Sequence, residues 1–520
     1  MHIARILEAS ADRYPDHLAL VFEDRRWTYA EWLARVRRFA QALSDLGVRP
    51  GDRVAFYVST SENSVTTYFA CQMLGAVAVP MNFRLSAGEA AHILQDSGAR
   101  VLIYGRSLTG NVERIAAQMH SVHDFIGCAY DRAHIPAGHL HFETLAEQTA
   151  DRDEPRIIPS GDAISSLVYT SGTTGRPKGV IHTHANDIAI AMNCVMEYSL
   201  NHTDNALHIA PLYHVGGMQA YFIPHLLVGG TNVVIGRYEA EKTLDTIAAE
   251  RITTLFAVPT QIQEMLFHPR FRDQDLSSLR LITTGGAAIS AATMARVMAE
   301  FCPAIFNGYG MTEASSFTTA NTERVVGSTG RPLPWFKVEI LDPEGQPVPV
   351  GERGEIVLTG LEPDCVFRGY FRNPEATAAA LRNGRFHTSD VGSFDAEGRM
   401  AFHGRLVDSL RVRGENISAW EIEHVINQHP DVEDSAVIGV EAEIGEMDIK
   451  LFVQPGPGKS VDLPALAEWA RPRLSRYQLP RYFAILPEFP RTPSQRIRKH
   501  LLSKALDDGW DRMAPNETAQ

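Results

Sequence analysis

At 520 residues the chain is longer than one ordinary hydrophobic core organises, so two or more domains are expected, one of them large. Its apolar content of 44% and charged content of 21% are those of a globular protein, which excludes a disordered or fibrous chain. A formal charge of -13 excludes a general nucleic-acid binder, because that role needs a basic face to displace counterions from phosphates.

The chain opens with Met1 to Arg5 leading into a charged amphipathic pattern, and no stretch offers the roughly twenty apolar residues of a membrane span. No integral membrane segment is therefore expected. Residues 26–48 read as a helix entered from a short strand. Thr28 caps it, Glu31 answers three residues on, and Trp32, Leu33, Val36, Phe39, Ala40 and Leu43 fall on one face before Gly47 ends it. Residues 53–58 read as a strand, 65–74 as a helix and 76–79 as a buried strand stopped by Pro80. Further strands at 100–104, 231–235 and 279–283 continue the alternation, which predicts layered α/β structure with largely parallel strands.

After Arg331 the texture changes to short strands, including 337–340 and 355–358, punctuated by Asp342-Pro343-Glu344-Gly345 and Gly351-Glu352-Arg353-Gly354. A β-rich module over about 331–404 is expected. Beyond Gly404, Ser418 and Glu421 predict a capping box for a helix that turns Ile422, Val425 and Ile426 inward. Strands at 436–440 and 449–453 and a helix from about Leu463 follow. The expected division is a large N-terminal domain, 1–404, a small mobile α+β C-terminal domain, 405–508, and a tail, 509–520. Cys71, Cys128, Cys194, Cys302 and Cys365 are scattered and odd in number, which suits neither a zinc site nor a disulfide framework and fits a reducing cytoplasm.

The most informative stretch follows the strand-like Leu167-Val168-Tyr169. Thr170-Ser171-Gly172-Thr173-Thr174-Gly175-Arg176-Pro177-Lys178-Gly179 combines glycines, small hydroxyl donors and a lysine, a set suited to polyphosphate. Gly172 and Lys178 have P-loop spacing. Pro177 replaces the second glycine, however, and Gly179 replaces the hydroxyl residue that would hold Mg²⁺, which disfavours a P-loop NTPase.

The run from Tyr169 to Val180 resembles the signature loop of the adenylate-forming superfamily of acyl-CoA synthetases, peptide-synthetase adenylation domains and luciferases. Gly286-Ala287-Ala288, Asn307-Gly308-Tyr309-Gly310-Met311-Thr312-Glu313, Gly369-Tyr370 with Asn373-Pro374-Glu375-Ala376-Thr377, His387-Thr388-Ser389-Asp390, Gly404-Arg405 and Gly414-Glu415-Asn416 resemble its other motifs in its order. The resemblance spans Trp27 to about Leu501. It implies that a carboxylic acid is activated as acyl-AMP with release of pyrophosphate and then passed to the thiol of coenzyme A.

On that resemblance Thr170, Ser171, Gly172, Thr173, Thr174, Gly175 and Lys178 cradle the β and γ phosphates of ATP. Thr312 donates to the α-phosphate and Glu313 holds Mg²⁺. Gly286, Ala287 and Ala288 line the adenine, with Asn307, Gly308 and Gly310 in the nucleotide motif, and Tyr309 stacks on the base. Asp390 and Arg405 take the ribose. His214, with Val215, Gly216 and Gly217, marks the acid pocket, although a histidine packed under the sheet is an equal reading. Gly414 leaves room for the pantetheine arm. Arg471, Arg473, Arg476 and Arg481 either meet CoA phosphates or form a solvated cationic surface.

Two positions depart from the family pattern. Its C-terminal catalytic lysine reads here as Arg496 in Pro493-Ser494-Gln495-Arg496, and its polar hinge residue reads as Val407. Gly414 to Ser418 look most like carnitine- and crotonobetaine-CoA ligases. An acid-CoA ligase is the leading expectation. Loading of a separate carrier protein, or a degenerate nucleotide-binding protein, is the alternative, and a homodimer is a further expectation.

Overall fold

A computed structural model describes residues 2–129, 134–150, 159–170, 176–286, 289, 291–362, 365–406, 409–412, 415–441, 447–475, 478–492 and 497–514. The chain divides into two compact units, one formed by Met1–Val338 with Leu358–Phe386 and the other by Glu339–Val357 with His387–Gln520.

The first unit holds two seven-stranded sheets. In the first sheet the order is Leu140–His141, Asp124–Cys128, Val101–Gly105, Arg53–Tyr57, Val77–Pro80, Ile164–Thr170 and Lys178–Thr183. In the second it is Ile305–Asn307, Leu281–Thr284, Thr254–Phe256, Asn205–His208, Thr231–Val234, Leu18–Phe22 and Arg25–Thr28. Both sheets are parallel except for one antiparallel hairpin at an edge, Leu18–Phe22 with Arg25–Thr28 and Ile164–Thr170 with Lys178–Thr183. Buried Leu20, Phe22 and Val234 of one sheet and Val54, Ile103 and Ile126 of the other share a core cluster with Trp32, Phe69 and Phe222. Helical layers therefore fill the space between sheets, as strands buried on both faces require.

Several local expectations meet their elements. The first long helix is Tyr29–Asp45, with Thr28 and Glu31 forming a reciprocal capping box. The helix expected from Val65 begins at Glu62, because Ser61 and Ser64 form the starting box. Within this layer Arg35 meets Glu62 through two bonds, Nε to Oε1 at 2.6 Å and Nη2 to Oε2 at 3.2 Å, and Glu143 at 2.7 Å. Arg35 and Glu62 are buried, so the charges depend on each other for the solvation they have lost.

The second unit carries a four-stranded sheet of Val432–Glu441, Met447–Pro455, Tyr482–Ile485 and Trp510–Asp511, covered by helices Ala419–Ile426 and Leu463–Ala470. Lys450 is fully buried here and bonds Ser503 O, Ala505 O and the Asp508 carboxylate. The capping box expected at Ser418 and Glu421 does not form. Ser418 caps only with its backbone and donates its hydroxyl to His403 O at 2.6 Å, while Glu421 accepts from Gln478 and pairs with Arg353. Side chains distant in sequence outcompete the local pairing. Among the described residues no helix is long and apolar enough to cross a membrane, and the five cysteines are free.

Candidate active site

Four parallel neighbours in the second sheet, Asn205–His208, Thr254–Phe256, Leu281–Thr284 and Ile305–Asn307, end on one edge. Open α/β sheets bind ligands at such carboxyl ends. The chain leaving these strands supplies His214 to Gly217, the Phe256 ring, Gly285 with Gly286, and Asn307 to Glu313. Residues scattered over a hundred positions of sequence thus converge.

Close packing explains several of the small residues. A Cβ on Gly308 would stand 2.5 Å from Thr319 O, and one on Gly310 would stand 1.8 Å from Ser316 O, because this segment pairs antiparallel with 316–317. Tyr309 is buried, its N–H donating to Thr319 Oγ1 and its carbonyl accepting from Thr318 N. Asn307 Nδ2 donates to Ser328 O at 2.8 Å. Gly286 has φ +79, a left-handed backbone suited to glycine, and a Cβ there would meet nothing within 4 Å.

Aromatic rings wall this edge. The Cβ built on Gly216 lies 3.3 Å from Phe256, and those on Gly285 and Gly308 approach Phe317 to 2.8 and 2.7 Å. The Phe256 and Phe317 rings stand edge to face with centroids 6.4 Å apart. His214 is exposed, so the reading of a histidine packed under the sheet is corrected. Its Nδ1 accepts from Gly216 N at 3.2 Å within a tight turn, where a Cβ on Gly217 would strike Pro211 O at 2.5 Å. Val215 is buried.

The phosphate-loop candidate spans two antiparallel edge strands, with Thr170 opposite Lys178 and Tyr169 opposite Gly179. A strand, not a helix, follows the loop, which removes the P-loop geometry that its spacing had suggested. Tyr169 donates its hydroxyl to Asp96 at 2.6 Å. Burial, reinforced by that carboxylate, pushes the phenol's pKa well up. A Cβ on Gly179 would meet the same ring at 2.9 Å.

A segment from far along the chain completes this edge. Ile181 N donates to Gly369 O at 3.1 Å and Phe371 N to Gly179 O at 2.7 Å, placing Tyr370 antiparallel to Val180. Tyr370 Oη donates to Glu313 Oε1 at 2.8 Å, and Lys178 Nζ lies 5.0 Å from its ring centroid. Among the described residues no ion pair joins Lys178 to Glu313. Tyr370 thus meets both groups, the ammonium with its ring and the carboxylate with its hydroxyl. Tyr370 has no role on sequence grounds beyond its motif, since only long-range strand pairing brings it here.

Thr312 and Glu313 occupy a short 3₁₀ turn, Thr312–Ala314. Among the described residues no three His, Cys, Asp or Glu side chains gather as a metal cage.

Within the second unit, Asp390 is buried and opposes Arg405 across an antiparallel pairing of residues 390–394 with Met400–Arg405; Arg405 Nε lies 3.2 Å from Asp390 Oδ1. The preceding Ser389 has φ +58. Glu355 brackets it, accepting from Ser389 N at 3.1 Å and meeting His387 Nδ1 at 2.8 Å, while Thr388 Oγ1 accepts from Asp390 N. Ser171 to Gly175, Ala287, Ala288, Val407, Gly414 and Arg496 lie outside the described residues.

A family model described as AMP-binding enzyme matches residues 7–371, and one described as AMP-binding enzyme C-terminal domain matches residues 421–496. Feruloyl-CoA synthase of Amycolatopsis sp is 40% identical over 478 residues, 91% of this chain and 92% of that protein. Indoleacetate–CoA ligase of Aromatoleum aromaticum is 33% identical, over 96% and 97% of the two chains. An anthranilate CoA ligase solved with anthranoyl-AMP superposes with a TM-score of 0.89 at 27% identity, covering 96% of each chain. o-Succinylbenzoate CoA synthetase from Bacillus subtilis, solved with ATP and magnesium ion, gives 0.84 at 28% identity, covering 96% of this chain and 98% of that one.

Proposed function

We propose, from the premise that this chain belongs to the family of AMP-binding enzymes, that it activates an aromatic carboxylic acid. It is an ATP-dependent acid-CoA ligase of the AMP-forming kind, whose substrates are a carboxylic acid, ATP and coenzyme A, with Mg²⁺. The acid's carboxylate attacks the α-phosphorus of ATP, forming a mixed anhydride as pyrophosphate leaves. The thiol of coenzyme A then attacks the acyl carbonyl, and AMP leaves as the thioester forms.

Bringing a carboxylate to a polyphosphate opposes two anions, so the site must supply fixed positive charge and donors. The observation that carries the reading is Tyr370, which meets the Lys178 ammonium with its ring and the Glu313 carboxylate with its hydroxyl. We assign the leaving β and γ phosphates to Thr170, Ser171, Gly172, Thr173, Thr174, Gly175 and Lys178, and the α-phosphate to Thr312. Mg²⁺ bound at Glu313 supplies charge neutralisation on the phosphate oxygens. Tyr309 takes the adenine beside Gly286, Ala287, Ala288, Asn307, Gly308 and Gly310. Asp390 and Arg405 take the ribose, Gly414 the pantetheine arm, and Arg496 the charge on the reacting carboxylate. The functional division is residues 1–404 against a mobile 405–508, hinged at Val407.

The acid class rests on Phe256 and Phe317 beside three glycines, together with relatives named for feruloyl, indoleacetate and anthranilate substrates. Acid-dependent ATP–pyrophosphate exchange over hydroxycinnamic, indoleacetic, aminobenzoic, long-chain and short dicarboxylic acids tests it. Aryl acids should exchange fastest; preference for a long-chain or dicarboxylic acid overturns the class. Exchange without a CoA thioester would identify a carrier protein as the acceptor. A homodimer and a cytoplasmic location complete the proposal, checked by light scattering and cell fractionation.

A further inference from the structure

The strand Lys178–Thr183 carries a second chemically able side chain. By the two-residue period of a strand, Lys178 and His182 fall on one face. His182 is fully buried, with Nε2 2.7 Å from the carbonyl oxygen of Thr312. A carbonyl only accepts, so Nε2 carries the proton. The same carbonyl accepts from Ser315 N at 3.0 Å, the bond that closes the turn bearing Thr312 and Glu313. The next carbonyl, of Glu313, accepts from Phe367 N at 2.7 Å. The turn is thus gripped at two successive peptides from two directions.

Behind the ring, Nδ1 faces Asp187 Oδ1 at 3.4 Å without a hydrogen bond, since with the proton on Nε2 both atoms accept, and Asp187 is also fully buried. Its other oxygen accepts from Ser165 Oγ at 2.7 Å and Tyr68 Oη at 3.3 Å. Burying a carboxylate and an imidazole is costly unless they are hydrogen-bonded, as Asp187 is through Oδ2 and His182 through Nε2.

We propose that His182, backed by Asp187, is a positioning residue for adenylation. It fixes the Thr312 carbonyl to the strand that carries Lys178, and so sets the distance between the Glu313 carboxylate and the Lys178 ammonium that must share one nucleotide. This rests on the reading of Thr312 and Glu313 as the nucleotide-side turn. A supporting shell of this kind typically contributes about 10- to 100-fold in activity through geometry alone.

The test uses the full-length protein with His182→Leu, His182→Gln, Asp187→Leu and Asp187→Asn. Steady-state ATP–pyrophosphate exchange is measured with an acid the wild type accepts, varying MgATP and acid separately. His182→Leu should lower exchange about 10- to 100-fold and raise KM for MgATP, leaving KM for the acid within about twofold. His182→Gln, whose amide N–H can reach the Thr312 carbonyl, should recover about tenfold of that loss. Asp187→Asn, whose amide can donate to Nδ1 where the carboxylate cannot, should stay near wild type, and Asp187→Leu, which leaves Ser165 and Tyr68 without their acceptor, should fall below it. Equal activity of the Leu and Gln variants, or KM values for MgATP and acid that rise together, overturns the proposal. If His182→Leu does not fold, the Gln and Asn variants decide by the same criteria.

Hydrogen exchange at the Ser315 amide gives a readout independent of turnover. It should quicken at least about tenfold in His182→Leu and not in His182→Gln, and an unchanged rate overturns the proposal. Wild-type protein that exchanges with no acid would instead refute the functional reading, leaving the amide measurement to judge His182.

Discussion

Tyr370 donates its hydroxyl to Glu313 Oε1 at 2.8 Å while its ring faces the Lys178 ammonium at 5.0 Å. Tyr370→Phe keeps the ring and removes the donor to a charged acceptor, a bond of about 1.5–3 kcal/mol. Exchange should fall about 10- to 100-fold at limiting Mg²⁺ and partly recover as Mg²⁺ is raised, because a carboxylate relieved of its donor is left loosely aimed. A Mg²⁺ titration of both proteins checks this.

On the resemblance of Pro493 to Arg496 to the family's motif, Arg496 takes the position of its lysine, and a planar guanidinium does not reproduce a compact ammonium at a reacting centre. Arg496→Lys should therefore speed the acyl-adenylate half-reaction, by about tenfold, while thioester formation from supplied acyl-adenylate changes little. Single-turnover quench measurements of the two half-reactions separate these effects.

Ser389 holds φ +58 at an exposed position of the strand Arg385–Phe394, beside Asp390. Left-handed backbone costs a side-chain-bearing residue about 1–2 kcal/mol. Ser389→Gly should leave stability unchanged or raise it by up to about 1 kcal/mol, since glycine's greater unfolded-state entropy offsets part of the relief. Ser389→Val should lower it and slow adenylation with it. Urea midpoints and exchange rates measured on the same preparations test the pair.

Arg35 and Glu62 form a buried, doubly bonded ion pair in the layer between the sheets. Removing one partner strands the other charge, so Arg35→Ala or Glu62→Ala should each cost about 3–5 kcal/mol. The double variant should cost less than the sum of the singles, which a double-mutant cycle in urea measures.

His225 is buried and neutral in the fold. It meets Tyr221 O at 2.7 Å and Thr254 Oγ1 at 2.9 Å, and burial lowers its pKa from 6.5 to about 4. Its neutral form contributes stability that is fully present above pH 6.5. That contribution declines as pH falls towards 4, because the unfolded chain takes up the proton first. His225→Gln should flatten the loss of stability between these values by roughly 3 kcal/mol at most. Urea midpoints from pH 7.5 to 4.5 give the comparison.

The parts of this molecule that depend on near neighbours were legible in the sequence. Thr28 and Glu31 announced their helix, and alternating apolar runs announced the parallel strands. Pairings set by the tertiary fold were not. Ser418 and Glu421 have capping-box spacing, yet His403, Gln478 and Arg353 claim their side chains. Tyr370 and His182 have no local pattern to betray them, because the first reaches Glu313 through strand pairing and the second reaches Thr312 across a layer. His214 carried two readings that only exposure could separate.

The docking of Gly369 to Phe371 along the outer edge of Lys178–Thr183 also bears on how this enzyme can be rebuilt. Two stretches remote in sequence form one hydrogen-bonded edge. A chimera whose crossover falls between them would join a strand from one parent to a foreign edging segment, uncoupling Glu313 from Lys178 while every motif stayed present. Recombination libraries should therefore keep their working members among crossovers that carry both stretches from the same parent.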